Sequence, residues 1–258
     1  MTPRARLVLF LAAAVVIGAV FTLACLQLPH FGTQTHPYAD RAVAATMRQR
    51  TANTVSSVNF DQRAFDTLGE ESILFAAVLG AVGLLRRTSD ERRTRPPLGP
   101  VLPSTRLFGA LMLPVTLLTG VYIAGHGQLS PGGGFQGGVV LATGVHLTYL
   151  AADYRVLDRL RHRELLDRTD ALAAGGYAVL GLLGLAVGAA YLQNVLHLGT
   201  FNQLTSGGLV PVINAAVGVE VGAGIIVLLA HFLDQTEEFT AGRGAGVSVA
   251  AAPGGGAS

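Results

Sequence analysis

Charged positions in this chain come in clusters, and long uncharged apolar stretches separate them. No Asp, Glu, Lys or Arg occurs from Leu7 to Ala39, from Leu107 to Ala152, or from Ala171 to Val219. The last two stretches run 46 and 49 residues. A helix crosses the hydrocarbon of a bilayer with about 20 apolar residues. Each of these two stretches therefore holds one span, a polar turn and most of a second span. The runs are continuous, not alternating ten-residue units, which excludes a β-barrel. Backbone groups in lipid must then be bonded within helices.

The pattern predicts an all-α, polytopic integral membrane bundle of about six transmembrane helices. The expected spans are residues 7–28, 67–85, 107–125, 135–152, 172–193 and 210–232. The second is the weakest, because its uncharged core runs only from Ser72 to Leu85 behind Glu70 and Glu71. Acids in a first helical turn suit the macrodipole, so a helix starting at Thr67 is expected; a half-span or surface helix is the plainer alternative. The first span has a competitor too. Arg4 and Arg6 before an apolar run to Ala24 match a signal peptide, and Thr22-Leu23-Ala24-Cys25 hints at a lipoprotein cleavage site. Thr22 stands where such a site takes Leu, and the run is long enough to span, so it reads as a retained helix.

Arginine placement sets the orientation. Arg4 and Arg6 precede span one, six Arg lie between spans two and three, and five lie between spans four and five. Loops 126–134 and 194–209 have none. Both termini are expected inside. The outer loop 29–66 carries four Arg against the rule, and it has room for a surface helix around Asp40 to Gln49. Four divisions follow: a two-span module over 1–85, an Arg- and Pro-rich cytoplasmic linker over 86–106, a four-span domain over 107–240, and a disordered Gly/Ala tail over 241–258.

Composition narrows the class. Only 13% of the 258 residues are charged, about half the usual fraction. Half are hydrophobic, 33 are Gly, and mean hydropathy is +0.49. All 18 basic residues are Arg against 16 acids, leaving +2. An ordinary soluble enzyme, a disordered chain and a nucleic-acid binder with a basic surface are excluded. The single Cys25 rules out a disulfide framework or a Cys-based metal site built from this chain alone.

Glu220 is the sharpest single signal, since a charge near the middle of a span costs about 2.5–3.5 kcal/mol on insertion scales. It reads either as part of a proton or cation relay or as a protonated structural acid. Its neighbours Ala216, Val217, Ala223 and Gly224 are small or modest, and Gly218 and Gly222 form a small-xxx-small pair. His146 in span four reads as a proton relay or a neutral interhelical hydrogen-bonding group. Asp61, Asp66, Glu70 and Glu71 cluster with Arg63 directly before span two. Asp66 and Glu70 share a helical face, either as an ion-attracting entrance or as a capped helix start with Asp66 as the cap. Loop Gly125–Gly138 has no Walker Lys, which excludes a nucleotide site. Gly132, Gly133 and Gly134 suggest tight backbone conformations and close approach to another subunit.

With Pro131-Gly132-Gly133-Gly134-Phe135-Gln136-Gly137-Gly138, Val217 through Gly222, and Gln193-Asn194 through Gly208, residues 107–240 resemble the B subunit of the multisubunit monovalent cation/proton antiporters of the Mrp or Mnh type. Residues 54–85, around Phe65-Asp66-Thr67-Leu68-Gly69-Glu70, resemble the membrane module ending the large A subunit. That module also occurs as the E subunit of membrane-bound hydrogenases. The family commonly carries a His close before the Pro; here His126 lies five residues ahead of Pro131. The resemblance implies a subunit of a Na+/H+ antiporter complex in a prokaryotic plasma membrane, in contact with the other subunits of a hetero-oligomer, with Na+, H+ and the lipid bilayer, and with no nucleic acid, cofactor, metal site or enzymatic chemistry. It implies that Glu220, Asp66 and Glu70 are the acids of an ion path, with His146 a further candidate. Two alternatives stand beside it: an ion-pumping subunit of a membrane-bound hydrogenase or complex I-like redox complex, and a structural scaffold.

Overall fold

The computed structural model describes residues 3–28, 32, 36–85, 101–151 and 163–244, excepting the side chains of 163–164 and 233–244. Among them the chain is helical, with no strand: α1 (Pro3–Leu26), α2 (Pro37–Arg48), the single turn α3 (Thr54–Ser57) running into a π-helical turn (Val58–Gln62), α4 (Ala64–Leu84), α5 (Pro103–Gly125), α6 (Gly134–Ala151), α7 (Arg163–Ala186) and α8 (Val210–Gly244). The chain is an all-helical, multi-pass membrane protein. Most of the linker read at 86–106, the loop 152–162 and the tail beyond Gly244 lie outside the described residues.

Among the described residues, five helices are long and apolar enough to cross a membrane: α1, α4, α5, α7 from Leu165, and α8 as far as Phe232. The fourth expected span, α6, is 18 residues long and is diluted by Gln136, His146 and four glycines. Packing places it beside α5 all the same. A Cβ on Gly109 would strike Ala151, one on Gly144 would strike Thr116, and one on Gly120 would lie 2.9 Å from the Gly137 carbonyl. The two helices therefore run antiparallel along their whole length, with small residues between them.

Several boundaries differ from the sequence expectation. Helix α5 begins inside the expected linker because Pro103 takes the first helical position, where its fixed φ and missing N–H cost nothing. Helix α7 begins nine residues before the expected 172 and ends at Ala186, where Gly188 turns the chain at φ +76°. That shift carries Asp170 into the span. Helix α8 runs four residues into the expected tail, to Gly244.

The chain divides into two compact units, Met1–Arg41 and Ala42–Ser258. The first is α1, apolar on every face as a lipid-facing helix is, with the start of α2. The second holds the remaining helices, so α4 packs in one unit with α5–α8. At its centre is α8, with 61% of its membrane-crossing stretch buried. Its inward stripe is Val210, Ile213, Asn214, Val217, Glu220, Val221 and Val227, at the three- and four-residue spacing of one helical face. Phe60, Ala64, Tyr177, Leu192 and Leu209 complete the apolar core around it.

Candidate functional site

The inward face of α4 is Ala64, Thr67, Glu71 and Val78. This spacing turns Glu71 to the interior while Asp66 and Glu70 lie on the exposed side. Glu71 meets Glu220 of α8 carboxyl to carboxyl. Both side chains are buried, at 1% and 0% exposure. None of their four oxygens has another partner among the described protein groups. Asp170 of α7 is the third buried acid, 5% exposed, and its charge acts on both glutamates. Two ionised carboxylates so placed in apolar surroundings repel each other and lack solvation. The pair is stable only when it holds a proton or a cation. Among the described residues, no three His, Cys, Asp or Glu side chains lie close enough to hold one metal ion.

Tyr177, fully buried one helical stripe beyond Asp170, donates to the Ala64 carbonyl at 2.8 Å. That bond fixes α7 against the start of α4. Gly224 lies one turn past Glu220. A Cβ there would sit 3.4 Å from both Asp170 Oδ1 and Val78 Cγ2, so α8 packs against Asp170 and Val78 at this level.

Above the acids, the loops and helix ends on the α4-start side are joined by side-chain amides. Asn214 Oδ1 accepts from the Gly134 N–H at 2.9 Å and so caps α6 from a neighbouring helix. Its Nδ2 donates to Ser56 Oγ and to the Val210 carbonyl. A Cβ on Gly127 or Gly133 would lie 2.6 or 2.7 Å from that same Asn214 oxygen, and Gly132 and Gly133 have φ of +131° and +141°. The glycine loop thus approaches Asn214 and Val217 of this chain closely. Phe135 packs against the core, and Pro131 is exposed. Asn53 Nδ2 donates to the Gly127 and Ser130 carbonyls, Gln128 Nε2 donates to the Leu204 carbonyl, and Asn194 bridges the Gly207 carbonyl and the Leu209 N–H. Asp61 sits in the π-helical turn. Burial pushes its carboxyl above the ordinary aspartate value, and a hydrogen bond from Asn194 opposes the shift.

Of the residues singled out from sequence, Glu220 lies at the centre of the acidic cluster. His146 lies on α6, half-buried, with Nε2 buried and unpartnered among the described groups. Asp66 is exposed and paired with Arg63, whose Nε donates to Oδ2 at 2.7 Å, and no side chain caps α4. Glu71, Asp170 and Asn214 were not singled out. Glu71 carried a legible signal: Ala64, Thr67 and Val78, at seven and four residues before and seven after, mark a buried stripe through it. Asp170 did not, because it stands at the edge of a charged cluster.

A family model described as a domain related to the MnhB subunit of the Na+/H+ antiporter matches residues 104–227. A relative, uncharacterized protein MJ1307 of Methanocaldococcus jannaschii, is 30% identical over 194 residues, covering 67% of this chain and 74% of the relative. The chain belongs to the MnhB-related family. The matched segment covers α5 through the Glu220 region of α8, and α4 lies ahead of it. This MnhB-related chain is also similar to a chain in the structure of the membrane-bound sulfane sulfur reductase, an archaeal respiratory membrane complex. That match has a TM-score of 0.68 and 30% identity, and covers 88% of this chain and 98% of that one. A further match, to a chain of the Mrp complex from Dietzia sp. DQ12-45-1b, has a TM-score of 0.63 at 24% identity, and covers 90% of this chain but 26% of a much longer one. The second likeness is one of fold.

Proposed function

We propose that this chain is a membrane subunit of a multisubunit monovalent cation/proton antiporter of the Na+/H+ type, working in a prokaryotic plasma membrane and helping to form the ion path. The observation that carries this reading is the Glu71–Glu220 pair, two buried carboxyls in the α4–α8 interface that hold either a proton or a cation. Carboxylate oxygens suit both H+ and hard cations. Transport is driven by ion gradients, with no bond chemistry in this chain. Neighbouring subunits complete the Na+ route, and the exposed Asp66 and Glu70 of α4 face them. His146 is a further candidate on the proton side.

The test is Na+-dependent proton exchange in everted vesicles from cells expressing the whole gene cluster, comparing wild type with Glu220→Gln and checking assembly on native gels. Exchange lost in an assembled complex supports the reading. Exchange unchanged leaves this chain a scaffold. A second reading, an ion-pumping subunit of a redox complex, is favoured by the likeness to a sulfane sulfur reductase chain along 98% of that chain. It predicts no exchange even in wild type until an electron donor and acceptor are supplied.

A further inference from the structure

The three buried acids occupy three different helices. Asp170 and Gly224 adjoin at one level, and Tyr177 and Ala64 at another. Helix α7 therefore runs opposite to α4 and α8, and Glu71, Glu220 and Asp170 form a series leading toward the Arg163–Arg168 end of α7. Each step in the series has a physical counterpart. Glu71 and Glu220 are in contact, with four oxygens free of protein partners among the described residues. At Gly224 α8 packs against α7, with Asp170 Oδ1 3.4 Å from where a Cβ would stand. Asp170 retains slight exposure, and Asp167, exposed one turn back, is the charge beside it. The other titratable groups around the series are Glu70, Tyr177 and Tyr191. The acids are too widely spaced for three of them to close on one metal ion. That spacing suits a relay more than a cage.

We propose that Asp170 is the third member of a proton relay, passing H+ between the Glu71–Glu220 pair and the arginine-bearing end of α7. This rests on the antiporter reading above. In each transfer one carboxyl loses its proton and the next carboxylate takes it. The series thus carries one mobile proton and never needs all three acids ionised, which burial opposes.

The experiment uses the whole complex in everted vesicles, with assembly checked by native gel. Asp170→Asn is expected to slow proton exchange about tenfold or more, the scale of losing a positioned proton-transfer group, with the Na+ concentration for half-maximal exchange unchanged. Asp170→Glu, which keeps a titratable group, restores most of the rate, and Asp167→Asn leaves it near wild type. If Asp170→Asn exchanges normally while Glu220→Gln does not, Asp170 is outside the relay and the antiporter reading stands. If Asp170→Asn raises the Na+ requirement, the acid is a cation ligand and the proton assignment falls. If neither variant changes exchange, the ion-path reading falls with it. Should Asp170→Asn fail to assemble, Asp170→Ser decides: a slowed rate that Asp170→Glu does not show supports the relay, and a wild-type rate overturns it.

Discussion

Glu71 of α4 and Glu220 of α8 meet carboxyl to carboxyl in the interior of the helical unit, and none of their four oxygens has another protein partner among the described residues. Burial removes water from both groups, and proximity sets like charges against each other. An arrangement of this kind lowers stability unless a mobile ion occupies it, and function is the usual reason a span retains it.

Neutralising one member should therefore stabilise. In Glu71→Gln, an amide N–H2 faces the Glu220 carboxylate and donates to it without needing a bound proton. The purified complex is expected to melt at a higher temperature than wild type, by a gain on the order of 1 kcal/mol, while losing exchange. Thermal unfolding in detergent beside vesicle transport checks both halves. A lower melting temperature would mean that the pair is held together by something a carboxyl alone provides.

Asn214 should be costly to remove although it is uncharged. Asn214→Ala strands the buried Gly134 N–H and removes the bond to Ser56 Oγ. A loss of about 1–3 kcal/mol is expected from one unpaired buried donor, read as a drop in melting temperature or in assembled complex on native gels.

The glycines divide into two groups. Gly133→Ala must adopt φ +141° against Asn214, and Gly137→Ala must push against the Gly120 carbonyl at 2.7 Å. Each should destabilise by about 1–3 kcal/mol. Gly80→Ala meets nothing within 4 Å and should stay within about 0.5 kcal/mol of wild type, or gain slightly from helix propensity. The same melting assay ranks all three, and equal effects would contradict the packing described.

Asp61 supplies a pH dependence outside the spans. Its carboxyl is raised above the ordinary 3.8 because burial disfavours the charged form, against the opposing Asn194 hydrogen bond. The folded chain then binds more protons than the unfolded chain between 3.8 and the raised value. Asp61 therefore costs no stability below 3.8, and stability falls as pH rises through that interval. Asp61→Asn should melt higher than wild type at neutral pH, with the difference shrinking as pH drops toward 3.8. Melting curves for the two proteins across acid and neutral pH check the sign.

Charge gaps and their lengths were enough to establish membrane helices, their approximate number and Glu220 as the anomalous acid. The reason is that lipid imposes a length and a polarity rule on each segment separately, so local pattern carries the answer. The same rule placed a helix near Asp40–Gln49, where Pro37–Arg48 is helical. It could not say which acid of the Asp61–Glu71 cluster turns inward, that Asp170 joins the interior when α7 starts early, or that the glycine loop closes on Asn214 of its own chain. Those outcomes depend on which faces of α4, α7 and α8 pack together. Side chains about 150 residues apart, such as Glu71 and Glu220, become neighbours only through that packing. A periodicity shows that a helix has an inner face; the partner helix determines what that face meets.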